Sequence, residues 1–483
     1  MSLSAALGIA QSSLFTTSRQ TSTVSRNITE AQNPDYSRRT AALATMAPGV
    51  QAYSIQRSTN EALFRHNLAA ISSQQGQRFV QAGLDHLQTA VNGVDNASSP
   101  ATAISNLQKA LQFYAATPSN LSLAENTIEM ARQTVAALNN GTDAIQAFRT
   151  QTDAEIATAV ADLRQLLSDF EANNQAIVKG TQAGRDVNDE LDQRDRLLKK
   201  ISEYVPISTQ VRGANDMVIT TRDGAMLFET SARAISFEPT NGYDPTTVGG
   251  QVRVDGVIIA GGSGGNTTAG GKLAAMTQMR DEVSMTMQAQ LDEVARGLIS
   301  AFRETGGGPD APGLFTWPGA PGMPPAGVAT VGLAGSISIN PAMDSSVGGN
   351  PHLLRDGGAN GAGYVVNATG GSSFSDLLIA YGDRLNEPLA FDAAAGAGTG
   401  VSVATYASNT IGWLESLRKD AASGSESKAA LLSRTTEALS NATGVNIDEE
   451  MAMLLQLEHS YQASARLIKA VDDMLAALMG AVR

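Results

Sequence analysis

Both ends of the chain carry an apolar repeat of three and four residues. At the start, Leu3, Leu7, Ala10, Leu14, Thr17, Thr21, Val24 and Ile28 follow alternating steps of four and three, a heptad stripe of about four repeats. Pro34 in "EAQNPDYSRR" cannot continue a helix and biases Asn33 to extended geometry, so the helix stops before it. At the far end, Leu454, Leu457, Tyr461, Ser464, Ile468, Val471, Leu475, Leu478 and Val482 form a matching seam. Asn446 is a good N-cap, Glu449 stands at N3, and Asp448 to Glu450 suit the positive end of the helix dipole.

Between these ends the period changes twice. Residues 41–60 are mixed and open to extended structure. Helical patterning then fills 61–91, 96–118, 121–180 and 186–204. From Val205, "VPISTQVRGANDMVITTRDGAMLFETSARAISFEP" alternates apolar and polar positions with Gly, Asn and Asp punctuation, and "GQVRVDGVIIAGG" continues it, which predicts hairpins. Helix returns over 272–305. Residues 306–371 are rich in Gly and Pro, with one short strand expected at 335–341. Helix resumes near Ser373, is interrupted at 392–400, and continues as 402–420 and 427–444.

The fold class expected is mainly α with inserted β. N- and C-terminal helices pair as a coiled coil, a long-helix bundle comes next, and a small β-rich inserted domain lies outermost. By residue, 1–40 and 444–483 are the terminal pair; 41–205, 270–305 and 372–443 the bundle; 206–269 the β insertion; and 306–371 a Gly/Pro-rich, partly β segment. The pattern alone also fits an ordinary hairpin inside a monomer core. Burying a Leu contributes about 1.5–3 kcal/mol, and ordering each backbone residue costs about 1–2 kcal/mol. Some eight seam residues per helix therefore do not stabilise an isolated pair, whereas contacts from other subunits would. Met451, Met453, Leu455, Leu467 and Met474 widen the apolar surface beyond one seam.

Composition narrows the function. The 483 residues are 42% hydrophobic and only 5% aromatic, with 46 Gly, which suits long helices and Gly-rich connections. A net charge of −13, with no basic cluster longer than "RDRLLKK" (194–200), argues against nucleic acid and against an anionic membrane surface as partners. With no Cys, disulfides, thiol catalysis and Cys-ligated zinc are excluded. The N-terminus lacks the basic region and unbroken apolar run of a cleaved signal peptide. No stretch of about 18 apolar residues predicts membrane insertion.

Candidate chemistry is thin. "GGSGG" (261–265) matches the Gly-x-Ser-x-Gly pattern of hydrolases, but it is Gly-saturated and precedes no helix; a hydrolase using Ser263 stays only as a rival reading. "GNTTAGGK" (265–272) fails the phosphate-loop spacing at Asn266 and Leu273. His66, His86, His352 and His459 have no i, i+4 His pairing, so no metal site is expected. The Asp448–Glu450 and Asp472–Asp473 acids read as helix-cap and surface groups. Neither a catalytic residue nor a cofactor is expected.

Five stretches then carry a resemblance. "NITEAQNPDYSRR" (27–39) resembles the N-terminal signature of bacterial flagellar axial proteins, through Asn27, Ile28, Asn33, Pro34, Tyr36 and Arg38; Asp35 and Ser37 depart from it. "GVNIDEEMAMLLQLEHSYQASARLI" (444–468) resembles their C-terminal signature. "NDELDQRDRLLKKISEYV" (188–205), "GGKLAAMTQMRDEV" (270–283) and "SFSDLLIAYGDRL" (373–385) are similar to segments of the flagellar hook-associated protein 1 family. That resemblance implies a non-enzymatic, extracellular structural subunit at the hook–filament junction, exported through the type III channel without a cleaved leader. It implies self-association in a ring or helical layer. The implied partners are the flagellar hook protein, hook-associated protein 3, and a cytosolic export chaperone at the C-terminal helix. The assembly interface expected is Leu3, Leu7, Leu14, Val24 and Ile28 against Leu454, Leu457, Tyr461, Ile468, Val471, Leu475 and Leu478, with Asn33, Pro34 and Tyr36 shaping the turn out of the inner tube. Two other readings stay open beside the hydrolase: another axial protein, such as hook-associated protein 3 or a hook or rod subunit, and a cytosolic helical scaffold. The helical block 61–204 speaks against hook and rod.

Overall fold

A computed structural model describes residues 3–46, 49–261 and 270–481, with side chains for 5–44, 54–261 and 270–481. The chain opens with α1 (Leu3–Thr29), β1 (Arg39–Met46), β2 (Gly49–Arg57), α2 (Glu61–Leu87), α3 (Pro100–Ala116), α4 (Leu121–Gln182) and α5 (Asn188–Tyr204). The β insertion holds β3 (Ile207–Val211), β4 (Met217–Thr221), β5 (Met226–Phe228), β6 (Ile235–Ser236), β7 (Arg253–Val254) and β8 (Val257–Ile258). Next come α6 (Gly271–Gln278), α7 (Ser284–Ala301), β9 (Phe315–Thr316), α8 (Leu333–Ser336), β10 (Ser338–Ile339), α9 (Leu353–Asp356) and α10 (Asp376–Asn386). The last helices are α11 (Val403–Thr443) and α12 (Ile447–Ala481). The architecture is mainly α with inserted β.

The chain divides into two compact units, one of Met1–Gln75, Ala161–Ile235 and Ser427–Arg483, the other of Gly76–Val160 and Ser236–Glu426. In the first, the mixed stretch 41–60 resolves into an antiparallel β1–β2 hairpin that pairs Arg39 with Arg57 and bulges between Ala42 and Leu43. Strands β3, β4 and β5 form an antiparallel meander. Its inner residues Ile219, Leu227 and Phe228 are buried, and Phe228 meets Phe170 of α4 edge-on at 5.0 Å.

The second unit has the larger core, built from Leu87, Leu107, Leu111, Tyr114, Ile128, Leu138 and Ile145 with Leu291, Leu298, Phe302, Leu378, Tyr381 and Tyr406. The hairpin expected at "VRVDGVII" forms as β7–β8. Asp255 and Gly256 both take positive φ, 48° and 84°, as a tight primed turn needs. Three expectations change here. The 272–305 helix is broken by a π turn over Met279–Val283, where Ser284 Oγ donates to the Met279 carbonyl at 2.7 Å. The strand at 335–341 shrinks to Ser338–Ile339, paired with Phe315–Thr316, because Leu333–Ser336 is helical. Residues 402–420 and 427–444 form one helix, not two. Gly424, between those two segments, is where Gln77 of α2 lies against α11; a Cβ there would meet Gln77 Nε2 at 2.9 Å, and that nitrogen donates to the Ala421 carbonyl at 3.2 Å.

The irregular 306–371 segment is fixed by buried carboxylates. Glu304 accepts from the backbone N–H of Ala359 and of Asn360, both at 2.9 Å, and from Asn360 Nδ2 at 2.8 Å. Asp292 accepts from the N–H of Gly332 at 2.9 Å, the N–H of Ala334 at 2.8 Å and Gln288 Nε2 at 3.0 Å. Burial outweighs these bonds and raises its carboxyl to about 6. A folded value above the usual one near 4 gives stability that is full at low pH and lost as pH rises through about 6. Denaturation at pH 4.5 and pH 7 should show this loss, about 2 kcal/mol, for the native chain. In Asp292→Asn the difference should vanish, and an unchanged difference would assign the pH dependence to other groups.

Candidate functional site at the paired termini

Helices α1 and α12 pack along their lengths in the first unit. Ser13 Oγ lies 2.9 Å from Ser464 Oγ, and Asn27 Nδ2 donates to Glu450 Oε2 at 3.0 Å. Position 13 thus faces 464 while 27 faces 450, so the helices are antiparallel and in a fixed register. On α12 the buried residues are Glu450, Leu457, Ser464 and Val471, each seven apart, with Leu454 and Ile468 half-buried. On α1 Ala10, Thr17 and Val24 are buried at the same spacing, and Leu7, Leu14 and Ile28 are half-buried. The polar middle of the α1 seam is satisfied locally. Thr16, Thr17 and Thr23 donate to the carbonyls of Ser12, Ser13 and Arg19 at 2.8, 2.9 and 3.0 Å.

Three residues expected in the interface are not covered by this pair: Tyr461, Leu475 and Leu478 are exposed. Register explains two of them. Leu3 falls opposite Met474, so Leu475, Leu478 and Met479 overhang the first described residue of α1. The side chain of Leu3 itself lies outside the described residues. Met451, Leu455, Leu467 and Met474 on α12, and Phe15 on α1 at 72% exposure, are further large apolar side chains facing outward.

At the other end the pair closes on a polar clamp. Asn27 is fully buried and uses all four bonds of its amide. Its Nδ2 donates to the Arg39 carbonyl at 2.9 Å and to Glu450. Its Oδ1 accepts from Tyr36 OH at 2.8 Å and from the Arg39 N–H at 3.1 Å. Glu450, 1% exposed, accepts Arg38 Nε at 2.6 Å on its other oxygen. Burial pushes the Tyr36 phenol up to about 12, so it stays a donor, with the Arg39 guanidinium 4.8 Å from its ring. The turn expected of Asn33, Pro34 and Tyr36 is present. Asn33 Oδ1 accepts the Asp35 N–H at 3.1 Å, Pro34 is exposed, and the Tyr36 N–H donates to the Asn33 carbonyl at 3.2 Å.

Helix α5 extends the clamp. Arg39 Nη2 donates to Asp189 at 2.6 Å and Asp192 at 2.8 Å, and Arg57 donates to Asp192 at 3.0 Å and Asp195 at 2.8 Å. Arg26 adds a second bond to Asp189 at 2.6 Å, and Lys199 pairs with Asp35 at 2.8 Å. Burial works to raise Asp189, but the bonds from Arg26 and Arg39 outweigh it and hold the carboxyl below its usual range. Burial dominates at Asp195 and raises its carboxyl.

Sequence reasoning did not assign Arg39, Arg57, Asp189, Asp192 and Asp195 to the site, and it read Glu450 as a cap or surface acid. Glu450 is buried because it stands one heptad before Leu457, on the seam. That register was the available signal. No described group of three or more His, Asp or Glu is placed to hold a metal ion, and no described helix is long and apolar enough to cross a membrane.

Three of the five motifs that carried the resemblance, 27–39, 188–205 and 444–468, meet in this clamp. The family model for the flagellar hook-associated protein FlgK helical domain matches residues 84–306. A curated flagellar hook-associated protein 1 from Bacillus subtilis (strain 168) is 24% identical over 398 residues, covering 73% of this chain and 72% of its own. The chain is thus similar to flagellar hook-associated protein 1 in its helical domain and over most of its length. The model for the flagellar basal body rod FlgEFG protein C-terminal region matches residues 438–481, which contain all of α12. In fold the chain is similar to the flagellar hook junction protein FlgK from Burkholderia pseudomallei, with a TM-score of 0.58 and 13% identity over 77% of this chain and 99% of that one.

Proposed function

We propose that this chain is a non-enzymatic structural component of the flagellum, the subunit that joins hook to filament. Hook protein lies on one side and hook-associated protein 3 on the other, and the subunit self-associates in a ring or helical layer. The observation that carries the reading is the register of α1 and α12. The clamp fixes one end of the pair, while the other end leaves Leu475, Leu478 and Met479 uncovered for neighbouring subunits. In this reading residues 1–40 and 444–483 line the inner tube. The bundle and the β-rich parts lie further out. The chain is exported without a cleaved leader, and a cytosolic chaperone covers α12 until export. An axial position elsewhere in the flagellum has one supporting observation, the rod-type match over 438–481, but the helical domain matched over 84–306 favours the junction. Ser263, the nucleophile of the hydrolase reading, lies outside the described residues.

The test is a deletion strain viewed by electron microscopy. Hooks without filaments, with filament protein shed into the medium and both restored by the native gene, is the expected outcome. Normal filaments on the deletion strain would reject the junction role.

A further inference from the structure

Four asparagines precede glycine: Asn92, Asn140, Asn241 and Asn360. Such a pair is chemically labile, because the unhindered glycine nitrogen can attack the asparagine side-chain carbonyl. Three of the four are protected by different means. Asn92 is 5% exposed, its amide donates to Gln88 Oε1 at 2.8 Å, and the Gly93 N–H is held by the Thr89 carbonyl at 3.1 Å. Asn140 lies inside α4, where the helical ladder fixes the following N–H away from the side chain. Asn360 donates to Glu304 Oε2 and the Pro312 carbonyl, both at 2.8 Å.

Asn241 has none of these. It and Gly242 are exposed, and among the described residues neither the Asn241 amide nor the Gly242 N–H has a hydrogen-bond partner. A Cβ at Gly242 would meet nothing within 4 Å, so water has free access. We propose that Asn241–Gly242 is a self-modification site, at which the exposed amide is converted to aspartate and isoaspartate with water as the only co-reactant. Gly242 N bonds to Asn241 Cγ, the Cγ–Nδ2 bond breaks, and ammonia leaves with the proton from Gly242. Water then opens the cyclic imide at either carbonyl. The flanking residues make the change consequential. The Thr240 N–H and Tyr243 OH are both anchored on buried Asp153, each at 2.7 Å, and Asp153 also pairs with Arg280. The isoaspartyl product adds one backbone atom between those two anchors. The added negative charge accumulates with time since synthesis.

The test is peptide mapping by mass spectrometry of the full chain, held for days at mildly alkaline pH in native buffer and, in parallel, in denaturant. In native buffer Asn241 should convert first, with Asn92, Asn140 and Asn360 intact. In denaturant all four should convert. Gly242→Ala, which the open space accommodates, should slow native conversion severalfold without altering the fold. The proposal is overturned if Asn241 survives native incubation while converting in denaturant, or if a protected site converts as fast as Asn241 in the native chain.

Discussion

Val471→Asp should leave a chain that is made and folded through residues 76–160 and 236–426 but does not enter the flagellum. Val471 is 2% exposed on the α12 seam, one heptad from Ser464. An ionised carboxylate there loses its water without gaining a partner, at a cost of several kcal/mol. That is comparable to all that a marginal two-helix seam contributes, so the pair opens and the register is lost. The chain offers its own control. Asp472 and Asp473 are native carboxylates next to this position and are exposed, and Lys469 is exposed two residues before it. Lys469→Asp should therefore assemble nearly as well as the native chain. Complementing a deletion strain with each variant and counting filaments separates position from charge. Equal filament counts for Val471→Asp and the native chain would remove the seam from the assembly interface.

The second large effect is expected at Asp192. Its carboxylate is 6% exposed and holds both Arg39 and Arg57, which are 3% and 11% exposed. Asp192→Ala removes the acceptor and leaves two desolvated guanidiniums facing each other. Breaking a buried pair from one side costs about 3–5 kcal/mol. Asp189 and Asp195 retain part of the bonding, which places the loss near about 3 kcal/mol. Asn at this position keeps one acceptor oxygen and should fall between. Calorimetry should show the transition of the unit containing the clamp moving down by roughly 6–12 °C, with the other unit unaffected. A change under about 1 kcal/mol would class the clamp with ordinary surface pairs.

What could be read in advance follows the range of each interaction. The terminal stripes, the Asn446 cap and the long helices are local. The cap forms as expected, with the Asp448 N–H donating to Asn446 Oδ1 at 3.0 Å. The Asp255–Gly256 turn is local as well. The gap left between 420 and 427 was misread because the small residue there, Gly424, faces Gln77 on another helix. The π turn at Met279–Val283 has the same side-chain period as its flanks to within one residue, so pattern alone passes over it. The clamp is the extreme case. Asn27 meets Glu450 across 423 positions and Arg39 meets Asp192 across 153. A single sequence shows these as scattered charges, and Glu450 looked like its exposed neighbours Asp448 and Glu449. The motifs were legible along the chain, and only the fold brings three of the five to one place.

The distance between Ser13 and Ser464, 451 positions along the chain, also sets an order of events. Helix α1 is made before every other described element, and its partner α12 after them. Until α12 is made, the face of α1 that meets it has no partner, and the isolated stripe is too weak to hold a helix alone. Loops of this length close slowly, so the pair is the last contact of the first unit to form. An interruption of translation anywhere before residue 450 leaves the N-terminal seam open. A chain pulled away by its first residues as soon as it is finished would leave with that seam still unzipped.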